Sequence, residues 1–117
     1  MTSRLLIITE GDKGMAIRRK GDRLVAIHPG EFLREDYLRP LGMSANALAL
    51  ALRVPVTRIS EIVNERRGIS ADTALRLARY FDTSAEYWMN MQKAYELAQV
   101  IREYGSEIEK QVERRAA

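Results

Sequence analysis

From His28 to about Tyr104 apolar residues recur at helical spacing, and the run is cut at short intervals by Pro40, Pro55 and Gly68 and by capping serines at 44, 70 and 84. This punctuation constrains the chain more than any other feature. Short helices, each with one apolar stripe, can hide those stripes only against one another. Gly30-Glu31-Phe32-Leu33 opens the first helix with an acidic residue near its positive end, and Pro40 is expected to stop it after Arg39. Ser44 caps a second helix, Ala45 to Leu52, so apolar all round that neighbours should sandwich it. Pro55 suits the first turn of a third helix that runs to about Asn64. There Ile59, Ile62 and Val63 share an inner face, while Thr57, Arg58, Glu61 and Glu65 lie outside. The loop Arg66-Arg67-Gly68 follows, with Gly68 available for a left-handed backbone position. Ser70 caps a fourth helix with a core face of Ala74, Leu75, Leu77, Ala78 and Phe81, and Ser84 caps a fifth that Gly105 is expected to break.

The first 27 residues differ in texture. Leu5 to Thr9 and Arg23 to Ile27 are β-prone runs separated by Gly11, Gly14, the basic cluster Arg18-Arg19-Lys20, and Gly21-Asp22. They read either as a small hairpin or extended arm, or as a tail, Met15 being an alternative start. The expected division is therefore an arm over 1–27, a helical domain over 28–104, and a polar tail or short helix over 105–117.

Composition removes several function classes. The chain has no cysteine and one histidine, His28, which precedes a proline at a helix start, so thiol nucleophiles and cysteine or clustered histidine metal sites are excluded. Glu31, Glu35 and Asp36 read as solvated charges on one short helix, and the sparse Gly11 and Gly14 do not make a phosphate loop. Neither an enzyme nor a cofactor or metal site is expected. Without a long apolar run or a signal segment, the expected setting is the cytoplasm, with no membrane contact. Net charge is only +3, yet all eight basic residues between 28 and 83 are arginines, whose planar forks suit phosphates and guanine edges.

Residues 44–64 then read as two short helices joined by a tight turn and followed by a basic loop. In a helix-turn-helix the second helix lies in the major groove, so it must be apolar behind and polar in front. The third helix meets that demand. One such unit reads few base pairs, and two copies with recognition helices about 34 Å apart would read a palindrome. The surplus apolar surface of the fifth helix is the candidate for joining them.

Ile27-His28-Pro29-Gly30-Glu31, the block from Ile59-Ser60 through Asn64-Glu65-Arg66-Arg67-Gly68-Ile69-Ser70-Ala71-Asp72-Thr73 to Ala78, and Tyr87-Trp88-Met89-Asn90-Met91-Gln92 together carry a resemblance. Over about 28–98 the chain resembles the HigA antitoxins, helix-turn-helix proteins of the phage-repressor type. It departs from that pattern at Arg53, where the turn usually has glycine. The resemblance implies an all-α fold: a five-helix, lambda-repressor-like domain with a long C-terminal helix and an irregular or β-prone N-terminal arm. It implies an antitoxin that pairs with a HigB-type, RelE-like ribonuclease toxin and represses its own operon as a homodimer on double-stranded operator DNA. By position in the motif, Val56, Thr57, Arg58 and Glu61 reach base edges, with Glu61 accepting from a cytosine or orienting Arg58. Ser44, Asn64, Arg66 and Arg67 fall near phosphates; Arg66 and Arg67 also complement the helix dipole. Tyr87, Met91, Leu97, Ile101 and Tyr104 are expected to join the copies, and Trp88 and Tyr95 to serve core or dimer packing. The N-terminal basic cluster is expected to assist DNA or toxin contact. Two alternatives share the fold: a stand-alone repressor without a toxin, and an interaction module that has lost DNA binding.

Overall fold

The computed structural model describes residues 5–8, 15–20 and 23–116. The β-prone arm forms a three-stranded antiparallel meander, β1 (Leu5–Ile8), β2 (Met15–Lys20) and β3 (Arg23–Ala26), in the order β1-β2-β3. Its register pairs Leu5 with Arg18 and Lys20 with Arg23. Gly11, Gly14 and Gly21, read from the sequence as separating the β-prone runs, lie outside the described residues. Arg18 does not face a partner molecule: it is buried, with Nε 2.8 Å from Glu31 and a terminal nitrogen 3.2 Å from Asp36. A buried guanidinium needs such partners. Part of the expected basic cluster is thus an internal clamp holding the sheet to the first helix.

The helical domain has five helices. The first, α1 over 29–41, is a continuous rod of Pro29–Phe32, a π-helical stretch Leu33–Leu38, and Arg39–Leu41. Pro40 does not end it. A helical proline collides with the carbonyl four residues back; here the wide turn, with the Arg39 N–H donating to the Arg34 carbonyl, lies directly ahead of the ring. The helix stops instead at Gly42, whose φ of 61° closes the end through Met43 N–H to Leu38 O at 2.9 Å. Next come α2 (Ala45–Leu52), α3 (Val56–Val63), α4 (Ala71–Phe81) and α5 (Ala85–Gln111). Ser44, Ser70 and Ser84 cap α2, α4 and α5, each accepting from the backbone N–H three residues on. Pro55 sits at the N-cap of α3, one residue before its first turn.

The core gathers Phe32, Leu33, Leu48, Ile59, Ile62, Leu77, Trp88 and Met91. Trp88 lies among Phe32, Tyr37, Phe81 and Tyr87, and its indole N–H donates to the Thr83 hydroxyl at 2.8 Å. Two expectations about helix faces fail. Leu50 is 67% exposed, so α2 is not sandwiched, and Leu75 is 66% exposed, so it leaves the core face of α4. A third concerns Gly105: α5 runs through it to Gln111. One glycine costs a helix about 1 kcal/mol, which good helix formers on both sides can offset.

Gly30 is where α1 meets α3. A Cβ there would lie 1.7 Å from the Ile62 carbonyl oxygen, so only a hydrogen side chain permits the crossing. Just before it, buried His28 caps α1, its Nδ1 accepting from Gly30 N–H at 2.9 Å, with its ring edge-on to Tyr95. Burial holds the His28 pKa below its ordinary 6.5, outweighing the opposing pull of Glu65 and Glu31.

Gly30→Ala is expected to lower unfolding free energy by about 1–3 kcal/mol in urea titrations. Because folded His28 takes up its proton at lower pH than the unfolded chain does, stability should be level above pH 6.5, fall as pH drops below it, and flatten below the depressed folded value. Comparison of urea midpoints between pH 7.5 and 5.5 (about one unit either side) should show a smaller fall in His28→Asn, which keeps a cap without a titrating ring.

Candidate nucleic-acid interface

The turn between α2 and α3 is built on Arg53, which takes φ 62° and ψ 44°. The chain therefore keeps the left-handed turn where glycine is usual. Val54 N–H closes it on the Ala49 carbonyl at 3.1 Å, and Arg53 N–H on Leu50 at 3.2 Å. The next left-handed residue is Glu65, φ 61°, not Gly68. At Gly68 the constraint is space, since a Cβ there would lie 2.6 Å from the Gln92 amide nitrogen. The missing side chain admits Gln92, whose buried carbonyl oxygen accepts from Ile69 N–H at 2.8 Å. That bond ties the loop after α3 to α5.

Ile59 and Ile62 are fully buried and Val63 nearly so, which anchors α3 from behind in the expected register. Val56 and Thr57 are exposed, and Arg58 and Glu61 partly so, on the other side. The C-terminal end of α3 is held by Arg34 of α1, whose guanidinium donates to the Val63 carbonyl and approaches Glu65. Cations suit that end of a helix.

The charged side chains pair differently from the expectation. Glu61 does not orient Arg58; it lies 2.6 Å from Arg67. Arg58 instead reaches the first turn of α4, where its terminal nitrogen is 2.7 Å from Asp72 Oδ2. The same oxygen receives Arg76 Nε at 2.9 Å, and Arg76 donates to the Leu52 carbonyl at 2.8 Å. Hydrogen bonds from Arg76 first and Arg58 second hold the Asp72 carboxyl below the usual carboxylate range. Asp72 and Arg76 escaped sequence reasoning. Their only signal was the i, i+4 spacing of opposite charges, which any solvated helix face shows.

Of the residues expected near phosphates, Ser44 is the exposed cap of α2, accepting from Ala47 N–H at 3.0 Å. Asn64 is the C-cap of α3, and its amide donates back to Ser60 O at 2.9 Å. Arg66 and Arg67 are exposed in the following loop. The residues expected to join two copies divide. Met91 is 1% exposed, inside this chain's own core, and Tyr87 packs on Phe32 and Trp88. Met91 is thus spent on the core and Tyr87 is partly buried against it, because the inner side of the first half of α5 packs on the domain. Leu97 and Ile101, both 60% exposed, and Tyr104 stand open on the second half, with Val100 and Ile108, and Val112 is exposed just past its end. Among the described residues no group of three or more His, Asp or Glu could hold a metal ion, and no helix is long and apolar enough to cross a membrane.

A capped helix, a tight left-handed turn, and a second helix greasy behind and polar in front define a helix-turn-helix protein, and the helix-turn-helix family pattern matches residues 33–88. Virulence-associated protein I of Dichelobacter nodosus is 60% identical over 83 residues, 71% of this chain and 77% of that protein. The solved structure of Pseudomonas aeruginosa antitoxin HigA with the higBA promoter is similar at a TM-score of 0.75 and 49% identity, over 78% of this chain and 99% of that one. Antitoxin GraA in complex with its operator gives 0.75 at 44% identity, over 85% and 98%. The chain belongs to the HigA family of helix-turn-helix antitoxins.

A left-handed backbone costs a residue with a Cβ roughly 1–2 kcal/mol, part of which glycine returns through its looser unfolded state. Arg53→Gly is therefore expected to raise unfolding free energy by about 0.5–1 kcal/mol at unchanged urea dependence. A lower midpoint would show that the arginine side chain, not the backbone, governs the turn.

Proposed function

We propose that this chain is the DNA-binding antitoxin of a type II toxin–antitoxin pair in the cytoplasm. It binds operator DNA as a homodimer, represses its own operon, and neutralises a HigB-type, RelE-like ribonuclease toxin. The observation that carries the reading is the seating of α3: Ile59 and Ile62 buried behind, Thr57, Arg58 and Glu61 turned outward. A helix so held can enter a major groove without deforming the domain. Val56 meets a thymine methyl, Arg58 a guanine, and Glu61 a cytosine amino group. Thr57 adds a hydroxyl that serves as donor or acceptor. Ser44, Asn64, Arg66 and Arg67 fix the register on phosphates. Relatives solved with a promoter or an operator support this use of the fold. Leu97, Ile101 and Tyr104, with Val100, Ile108 and Val112, supply the face that pairs two copies.

Titration of the full chain against its own upstream DNA and a scrambled duplex tests the reading. Arg58→Ala is expected to weaken operator binding by about 1–3 kcal/mol and relax preference, whereas Arg67→Ala weakens both duplexes alike and reduces the salt slope by about one. Equal, salt-insensitive binding of both duplexes by the unaltered chain would reject it. Operator binding without capture of the protein encoded beside it would leave a stand-alone repressor.

A further inference from the structure

Arg58 is the one base-reading candidate whose side chain is tied to another helix, and what ties it is an anion. Asp72 is exposed, so its ion pairs add little to stability. Next to a surface that meets phosphates, a carboxylate also opposes general DNA affinity. A charge that adds little to stability and opposes affinity invites another use, and the geometry supplies one. Asp72 Oδ2 receives Arg58 at 2.7 Å and Arg76 at 2.9 Å, and Arg76 is fastened to the Leu52 carbonyl at the C-terminal end of α2 at 2.8 Å. The chain from Leu52 through Arg76 and Asp72 to Arg58 links all three helices around the motif. It sets where the Arg58 guanidinium stands relative to the first helix of the pair.

We infer that Asp72 is the positioning residue for sequence reading: it holds Arg58 in place by one nitrogen and leaves the rest of the fork to a base edge. A guanidinium has five N–H donors, and the bond to Asp72 engages one terminal nitrogen. The donors that remain are enough for the paired acceptors on a guanine. A phosphate competing for Arg58 must break a charge-assisted bond, so the clamp penalises binding to unspecific sequence more than binding to operator. This rests on the DNA-reading role proposed for Arg58.

The test is a double-mutant cycle on the full chain, with Asp72→Asn, Arg58→Ala and the pair, titrated on its own upstream DNA and on a scrambled duplex over a range of salt. Asp72→Asn is expected to fold with an unchanged urea midpoint and to lose about fivefold or more of the operator-over-scrambled preference. Its scrambled-duplex affinity should hold or rise, with a salt slope steeper by about one as Arg58 becomes free for phosphate. In the Arg58→Ala background the same substitution should leave the preference unmoved, and Asp72→Glu, which keeps the carboxylate, should retain most of it. An equal gain on both duplexes makes Asp72 a repulsive charge and overturns the inference. So does a loss of preference that persists without Arg58. If the unaltered chain shows no preference, the DNA-reading proposal falls with it; if that preference is present and Asp72→Asn leaves it intact, only the positioning role falls.

Discussion

Everything on the outer face of α3 depends on how closely its backbone is pressed against α1. Gly30 lets the two main chains touch at the Ile62 carbonyl, and Arg34, one turn further along α1, reaches the carbonyl of Val63. Ile59 and Ile62 fill the space behind. A helix of eight residues has little stability of its own. Its orientation is imposed by the core, which is close-packed and does not deform continuously. The residues that face outward are therefore delivered by a rigid support and carry no ordering cost of their own backbone.

The charges on that face are mostly engaged with one another. Arg58 answers Asp72, and Glu61 answers Arg67. Such pairs lower the field the surface presents to a polyanion, and they raise the cost of taking any single arginine for a phosphate. A modest net charge of +3 fits this arrangement. Affinity is tempered while the geometry of the donors is kept. The N-terminal sheet follows the same logic elsewhere on the molecule, where Arg18 is engaged by Glu31 and Asp36 and serves attachment.

Much of the scaffold was legible in the chain. Serines at 44, 70 and 84 cap as expected, because capping involves only one hydroxyl and an N–H three residues away. The register of Ile59, Ile62 and Val63 was legible because helical period and apolar character act together. Less legible were positions where residue type permits more than one role. Gly68 could serve a left-handed turn or a close approach, and only the seat of Gln92 beside it distinguishes them. Met91 and Leu97 lie on the same long helix with similar chemistry, yet one is core and the other open, since the sequence does not say where the domain beneath α5 ends.

Local rules thus determined the serine-capped helix starts and the polar front of the third helix, which depend on neighbours within a turn or two, though not where the first and fifth helices end. Tertiary structure alone decided that Asp72 holds Arg58, that Arg18 is a buried clamp, and that Gly30 lies under the Ile62 carbonyl. Each of those joins segments 13 or more positions apart, as with the 14 separating Arg58 from Asp72. Spacing along a chain carries no record of such meetings; they exist only once the core has set the helices against each other.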